Sequence, residues 1–145
     1  MSVTIRLLSS DEAAILDNVA DDVFDHDVDP RWSAEFCADP RHHLAVALAG
    51  DLVVGMASAV HYVHPDKAPE LWINEVGVAP THWQQDIGAQ LMQALFARGR
   101  ELGCATAWVA IEPANTAARR LYSAVGGVEV PEPFIMIDFD LEQED

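Results

Sequence analysis

The chain has 145 residues, enough for one domain with a buried core and too few for a separate substrate-binding domain. Half of them are hydrophobic and 22% are charged, which excludes a disordered tail or a fibre. Eight Lys and Arg face 24 Asp and Glu, a formal net charge of -16 that argues against a free-standing nucleic-acid binder and against docking on an anionic membrane.

Val3 to Leu8 alternates and reads as a first strand. Ser9 or Ser10 caps a helix expected from Asp11 to about Phe24, with Ala14, Ile15, Val19 and Val23 at helical spacing. Asp25 to Pro30 is an acidic loop with one histidine, followed by a short helix from Arg31 to Ala38 that ends before Pro40. His43 to Ala49 and Leu52 to Tyr62 form a hairpin turned at Gly50-Asp51, with Gly55 marking a bulge or a close backbone contact. Glu70 to Val78 is a strand with Leu71, Ile73 and Glu75 on one face and Trp72, Asn74, Val76 and Val78 on the other.

A long helix is expected from about Trp83 to Glu101, with Ile87, Leu91, Leu95 and Phe96 on its apolar stripe and Gly103 as its cap. Cys104 to Ile111 reads as a strand and Asn115 to Val125 as a helix ending at Gly126-Gly127. Phe134 to Leu141 alternates and reads as a last strand, and the acidic tail from Glu142 to Asp145 frays. This order gives a single α/β domain with a mixed central sheet flanked by helices.

Cys37 and Cys104 form no Cys-x-x-Cys pair, as in a reducing cytoplasm. The first residues lack a signal-like apolar run, and the longest apolar stretches are about ten residues against the ~20 of a membrane helix. A soluble, cytoplasmic chain is expected. The six histidines form no compact ligand motif, and the alternating Asp25, Asp27 and Asp29 lack the closing Glu of a calcium loop, so no metal site is expected.

The segment Gln84-Gln85-Asp86-Ile87-Gly88-Ala89 lies between a strand and a long helix. Free backbone N–H groups at such a turn make a nest for phosphate or pyrophosphate, or simply start a helix. It is neither the Gly-Lys-Ser/Thr nucleotide loop nor the three-glycine dinucleotide fingerprint. Glu75 stands inside an otherwise apolar strand, where burial costs free energy and raises a carboxyl pKa towards general-base use. Its alternative is an ordinary ion pair.

Three motifs and the hairpin Ala45–Ala59 together resemble the GCN5-related N-acetyltransferase (GNAT) superfamily. The motifs are Asn74-Glu75-Val76-Gly77-Val78-Ala79-Pro80, then Trp83-Gln84-Gln85-Asp86-Ile87-Gly88-Ala89-Gln90-Leu91, then Asn-x-x-Ala-x-x-Leu-Tyr-x-x-x-Gly from Asn115 to Gly126. The Glu70–Val78 and Phe134–Leu141 segments look most like the aminoglycoside 3-N-acetyltransferase group. The resemblance spans residues 1–145 as one GNAT-like domain. It implies acetyl transfer from acetyl-CoA to a primary amine of a small cationic molecule, an aminoglycoside among the candidates.

In that reading Val76 and Val78 pair with the pantetheine, and Gln84, Gln85, Asp86, Ile87, Gly88 and Ala89 cradle the pyrophosphate. Asn115 and Ala118 adjoin the coenzyme, although Asn115 also suits a helix cap. Glu75 is the general base, Tyr122 the proton donor to the coenzyme sulfur, and the Val76 N–H an oxyanion donor. Glu70 is a second base or a cation-binding residue, while Asp25, Asp27 and Trp32 meet the amine. Arg119 and Arg120 either meet coenzyme phosphates or balance the acidic surface. Trp83 and Asp86 depart from the family pattern, which has an amide or basic residue and a glycine there. A peptide or protein N-terminus is the alternative acceptor, and a catalytically degenerate acyl-CoA sensor the alternative function. A homodimer is the expected assembly.

Overall fold

The computed structural model describes residues 2–142, so Met1 and the tail residues 143–145 lie outside it. Its central hairpin joins β2 (His42–Ala49) to β3 (Leu52–Tyr62). β1 (Val3–Leu7) pairs antiparallel with β2, and β4 (Glu70–Val78) antiparallel with β3. β5 (Thr106–Trp108) runs parallel to β4, completing a mixed sheet in the order β1-β2-β3-β4-β5. Among the described residues no helix is long and apolar enough to cross a membrane.

The two faces of the hairpin carry different side chains. Ala47 pairs with Gly55 and Ala45 with Ala57, so one face is built from small residues. α2 (Ile87–Glu101) lies on that face, burying Ile87, Leu91, Met92 and Leu95. A Cβ on Gly55 would sit 3.2 Å from Ile87 Cγ2 and 3.3 Å from Leu91 Cδ1, so the glycine sets how closely α2 approaches. The other face presents Leu44 and Ser58, paired across the strands, to α1 (Pro30–Ala38). Asp29 caps α1 by accepting from the Arg31 N–H at 2.8 Å. α3 (Thr116–Ala124) packs beside α2.

The hairpin, β4, α1 and α3 form where the sequence places them, and four expectations are corrected. The helix expected from Asp11 to Phe24 is a short 3-10 helix, Ala13–Asp17. The chain after it bonds to β3 instead: Val53 N donates to Asn18 O, and Ala20 N donates to Val53 O, each at 2.9 Å. α2 begins at Ile87 rather than Trp83, because Gln84 and Asp86 adopt left-handed backbone angles. The strand expected from Cys104 to Ile111 is regular only over Thr106–Trp108. Finally, Phe134 to Leu141 forms no strand, and Phe134, Ile135, Met136, Ile137 and Phe139 are all exposed.

β4 also departs from strict alternation. Ser58 opposes Glu75 and Ala59 opposes Ile73, leaving Asn74 as an extra residue. Leu71 and Ile73 are buried, but the bulge turns Glu75 out, and its side chain is exposed. The burial expected for Glu75 is therefore corrected.

Candidate active site

The site begins with an unpaired strand edge. β5 pairs with β4 only over Glu70–Trp72 and then diverges. The Ala79 N–H donates to Val54 O on β3 at 2.8 Å. Because a trans peptide sets N–H and C=O on opposite sides, the Val78 carbonyl points away from β3, onto the unpaired edge. The two-residue period puts the N–H and C=O of Val76 and Val78 on that same edge. The divergence opens a central cavity of about 440 Å³ lined by Asn74 to Val78, Val109 to Ile111, and Asn115, Ala118 and Tyr122 of the α3 region.

On one side of it the loop before α2 borders a second cavity of about 390 Å³. Gln84, Asp86, Ile87, Gly88 and Ala89 line it with Val76, Val78, Asn115, Ala118 and Tyr122. Asp86 is the N-cap of α2 but makes no side-chain cap bond, leaving the first-turn N–H groups and the positive helix end to the cavity. Asn115 takes its capping role, accepting from the Ala118 N–H at 3.1 Å. Tyr122 is half-buried, and desolvation raises its pKa, so the hydroxyl keeps its proton at neutral pH. Trp83 also lines both cavities, and its indole Nε1 donates to Val78 O at 2.7 Å.

On the other side lies a cavity of about 290 Å³ that joins Asp25, Asp27 and Trp32 to Asn74 and Glu75, with Phe24, Phe36, Leu44 and Ser58 as its walls. A larger acidic hollow of about 590 Å³ adjoins it, lined in part by Asp17, Asp21, Asp22, Asp25 and Asp27. Gly77 lets this acidic loop close on β4: a Cβ there would fall on the Val23 carbonyl oxygen. An ordered row results, from an uncapped helix end, through a cleft with a phenol and a carboxylate, to an acidic recess.

Residues 12–126 match the family model described as the acetyltransferase (GNAT) family. The chain belongs to the GNAT family. No curated protein sequence matches it. Among solved structures, an aminoglycoside acetyltransferase from an uncultured soil metagenomic sample is similar with a TM-score of 0.79 and 21% identity, covering 97% of this chain and 99% of that one. AAC(6')-Iy in complex with the bisubstrate analogue CoA-S-monomethyl-acetylneamine gives 0.78 at 20% identity, with 97% and 99% covered. A ribosomal-protein-alanine N-acetyltransferase from Brucella melitensis biovar Abortus 2308 gives 0.72 at 15%, with 95% and 100% covered. These likenesses show a shared fold.

The cleft of this GNAT chain fits an acyl coenzyme A on three observations. The Val76–Val78 edge is unpaired, the α2 start is uncapped, and one cavity reaches both. Asp86 is the adverse element, because its carboxylate borders the cavity that a pyrophosphate would enter. Gln85 is exposed and does not line it.

Glu70 stands apart. It is at the far end of β4, roughly 15 Å along the strand from Glu75. There its carboxylate accepts from the Trp108 indole at 3.1 Å and lies 3.4 Å from the Lys67 ammonium, so its expected place beside the amine is corrected. Arg119 donates two 2.8 Å bonds to the Glu129 carboxylate and lines neither the central cavity nor the one beside α2. Asp22, Asn74 and Ser58 line the site without having been singled out. Only a bulge or a left-handed turn brings the first two there, and neither leaves a mark in hydropathy. Among the described residues no His, Cys, Asp and Glu group of three or more could hold a metal ion.

Proposed function

We propose that this chain transfers an acetyl group from acetyl-CoA to a primary amine of a small cationic molecule, by direct attack. The observation that carries the reading is the placement of Glu75 and Tyr122 in one cleft, between an unpaired strand edge and an acidic recess. Acetyl-CoA supplies an activated acyl group as its thioester. Val76 and Val78 hold its arm by backbone bonds, and the N–H groups at the start of α2 face its pyrophosphate. Asp25 and Asp27 attract the ammonium, with Trp32 walling the recess.

Glu75 takes the proton from the ammonium, directly or through a water that its exposure admits. The Val76 N–H donates to the carbonyl oxygen as it gains charge. The amine nitrogen bonds to the thioester carbon and the C–S bond breaks. Tyr122, held protonated by burial, gives its proton to the departing sulfur and regains the one that the nitrogen sheds as the amide forms. No cysteine lines the cleft, and burial pushes the Cys37 and Cys104 thiols up, which favours direct transfer over an acyl-cysteine route.

An aminoglycoside is one acceptor of this kind. The acidic recess supports it, as does the fold shared with aminoglycoside acetyltransferases, including one whose complex joins coenzyme and aminoglycoside parts. The expected homodimer belongs to this reading too. The exposed apolar side chains from Phe134 to Phe139 support it, and a single-copy mass in sedimentation velocity at micromolar concentration would remove it.

Calorimetric titration with acetyl-CoA and CoA, at low and high salt, is the test. Micromolar binding followed by acetylation of a cationic primary amine is expected. Binding with no turnover on any amine in a panel of aminoglycosides, polyamines and peptides would leave a coenzyme sensor. No binding at either salt would remove the reading.

A further inference from the structure

We propose that Trp83 gates the coenzyme arm, its indole holding the strand-edge position that the pantetheine must take. The inference rests on the coenzyme reading above. The Val78 carbonyl is turned away from β3 by the Ala79–Val54 bond, onto the edge left open by β5. Trp83 Nε1 lies 2.7 Å from that carbonyl oxygen. An arm paired along β4 would run about 4.8 Å from it, as a neighbouring strand does. The indole nitrogen is inside that lane, so ring and arm exclude each other.

Two further observations point the same way. Trp83 lines both the central cavity and the cavity beside α2, so it stands where an arm would pass from one to the other. Its side chain is 62% exposed, so no core packing keeps the ring there. One hydrogen bond and the local loop hold it. An indole has a single donor, so swinging away leaves one carbonyl for the arm's own amide to satisfy.

The gate acts on the pantetheine portion and not on the nucleotide portion, which separates it from a general binding residue. The test is calorimetric affinity of wild type, Trp83→Phe and Trp83→Leu for CoA and for adenosine 3',5'-bisphosphate, which lacks the arm. Both variants lose the donor, and Leu also removes the ring. CoA should bind about fivefold more tightly to both variants, the worth of one exposed hydrogen bond, with bisphosphate affinity unchanged. Unchanged or weaker CoA binding in the variants overturns the gate and leaves the coenzyme reading standing. An equal gain for both ligands also overturns it, because the effect would then not lie on the arm. If none of the three proteins binds CoA, the coenzyme reading fails and the gate fails with it.

Discussion

Glu75 reaches the cleft because Asn74 is an extra residue in β4. Replacing Glu75 with Gln keeps the shape and removes the proposed base. Acetylation should fall about a hundredfold or more in kcat/KM, with CoA affinity retained. Tyr122→Phe should lower kcat about tenfold to a hundredfold and leave the KM for acetyl-CoA near its starting value, because the ring and its packing remain. Asp86→Gly should tighten CoA binding about fivefold by calorimetry. It removes a carboxylate from the cavity and puts glycine at a left-handed position (φ 63°). At this scale the resemblance carried by the Asn115–Gly126 pattern singles out Tyr122, and the structure sets that residue on the central cavity with Glu75. Glu75 was legible as a residue but not as an exposed one, since one unpaired residue reverses the face of everything after it. Glu70 was misplaced for a different reason: a strand's length, roughly 15 Å here, separates residues that sequence makes neighbours.

At the scale of elements, the strands of the hairpin and β4 were legible because β2 and β3 are near-continuous apolar runs, buried on both faces and joined by a tight turn, while β4 alternates around Leu71 and Ile73. The segment before them was not. Ile15, Val19 and Val23 have helical spacing, but Asn18 and Ala20 spend their backbone groups on Val53, a partner far away in sequence. Phe134 to Leu141 has the alternation of a strand, yet alternation names a face and not a partner. The β2–β3 pairing also sets a pH response. His43 Nε2 and His61 Nδ1 are 2.8 Å apart across the strands, and His43 is buried. Desolvation, then His61 and Arg98, lower its pKa to about 4. The unfolded chain takes up that proton first, near pH 6.5. The stability His43 contributes is therefore full above about pH 6.5 and lost as pH falls towards 4. Thermal melts across this range should show a steeper fall in Tm for wild type than for His43→Gln.

Across the whole molecule, a charge of -16 would act on the two proposed substrates with opposite sign. The coenzyme is anionic and is repelled; a cationic amine is drawn towards the Asp17–Asp27 recess. Added salt should therefore tighten acetyl-CoA binding and raise the KM for the amine. Equal movement of both would mean that the field plays no part in recognition. The lopsided composition was plain from the sequence, but the meeting of Asp17, Asp21, Asp22, Asp25 and Asp27 around one recess was not, because it depends on the loop from Asp17 to Asp29 folding against β4. Acetyl transfer in this cleft, with Glu75 as the proposed base, stands or falls on turnover. The most direct test follows thiol release from acetyl-CoA and the mass of the amine product, for wild type and Glu75→Gln at equal coenzyme saturation. A cationic amine heavier by one acetyl group is expected with wild type, and a near-complete loss with the variant. Equal turnover by the two proteins, or saturation with coenzyme and no turnover by wild type on any amine tested, would contradict that reading.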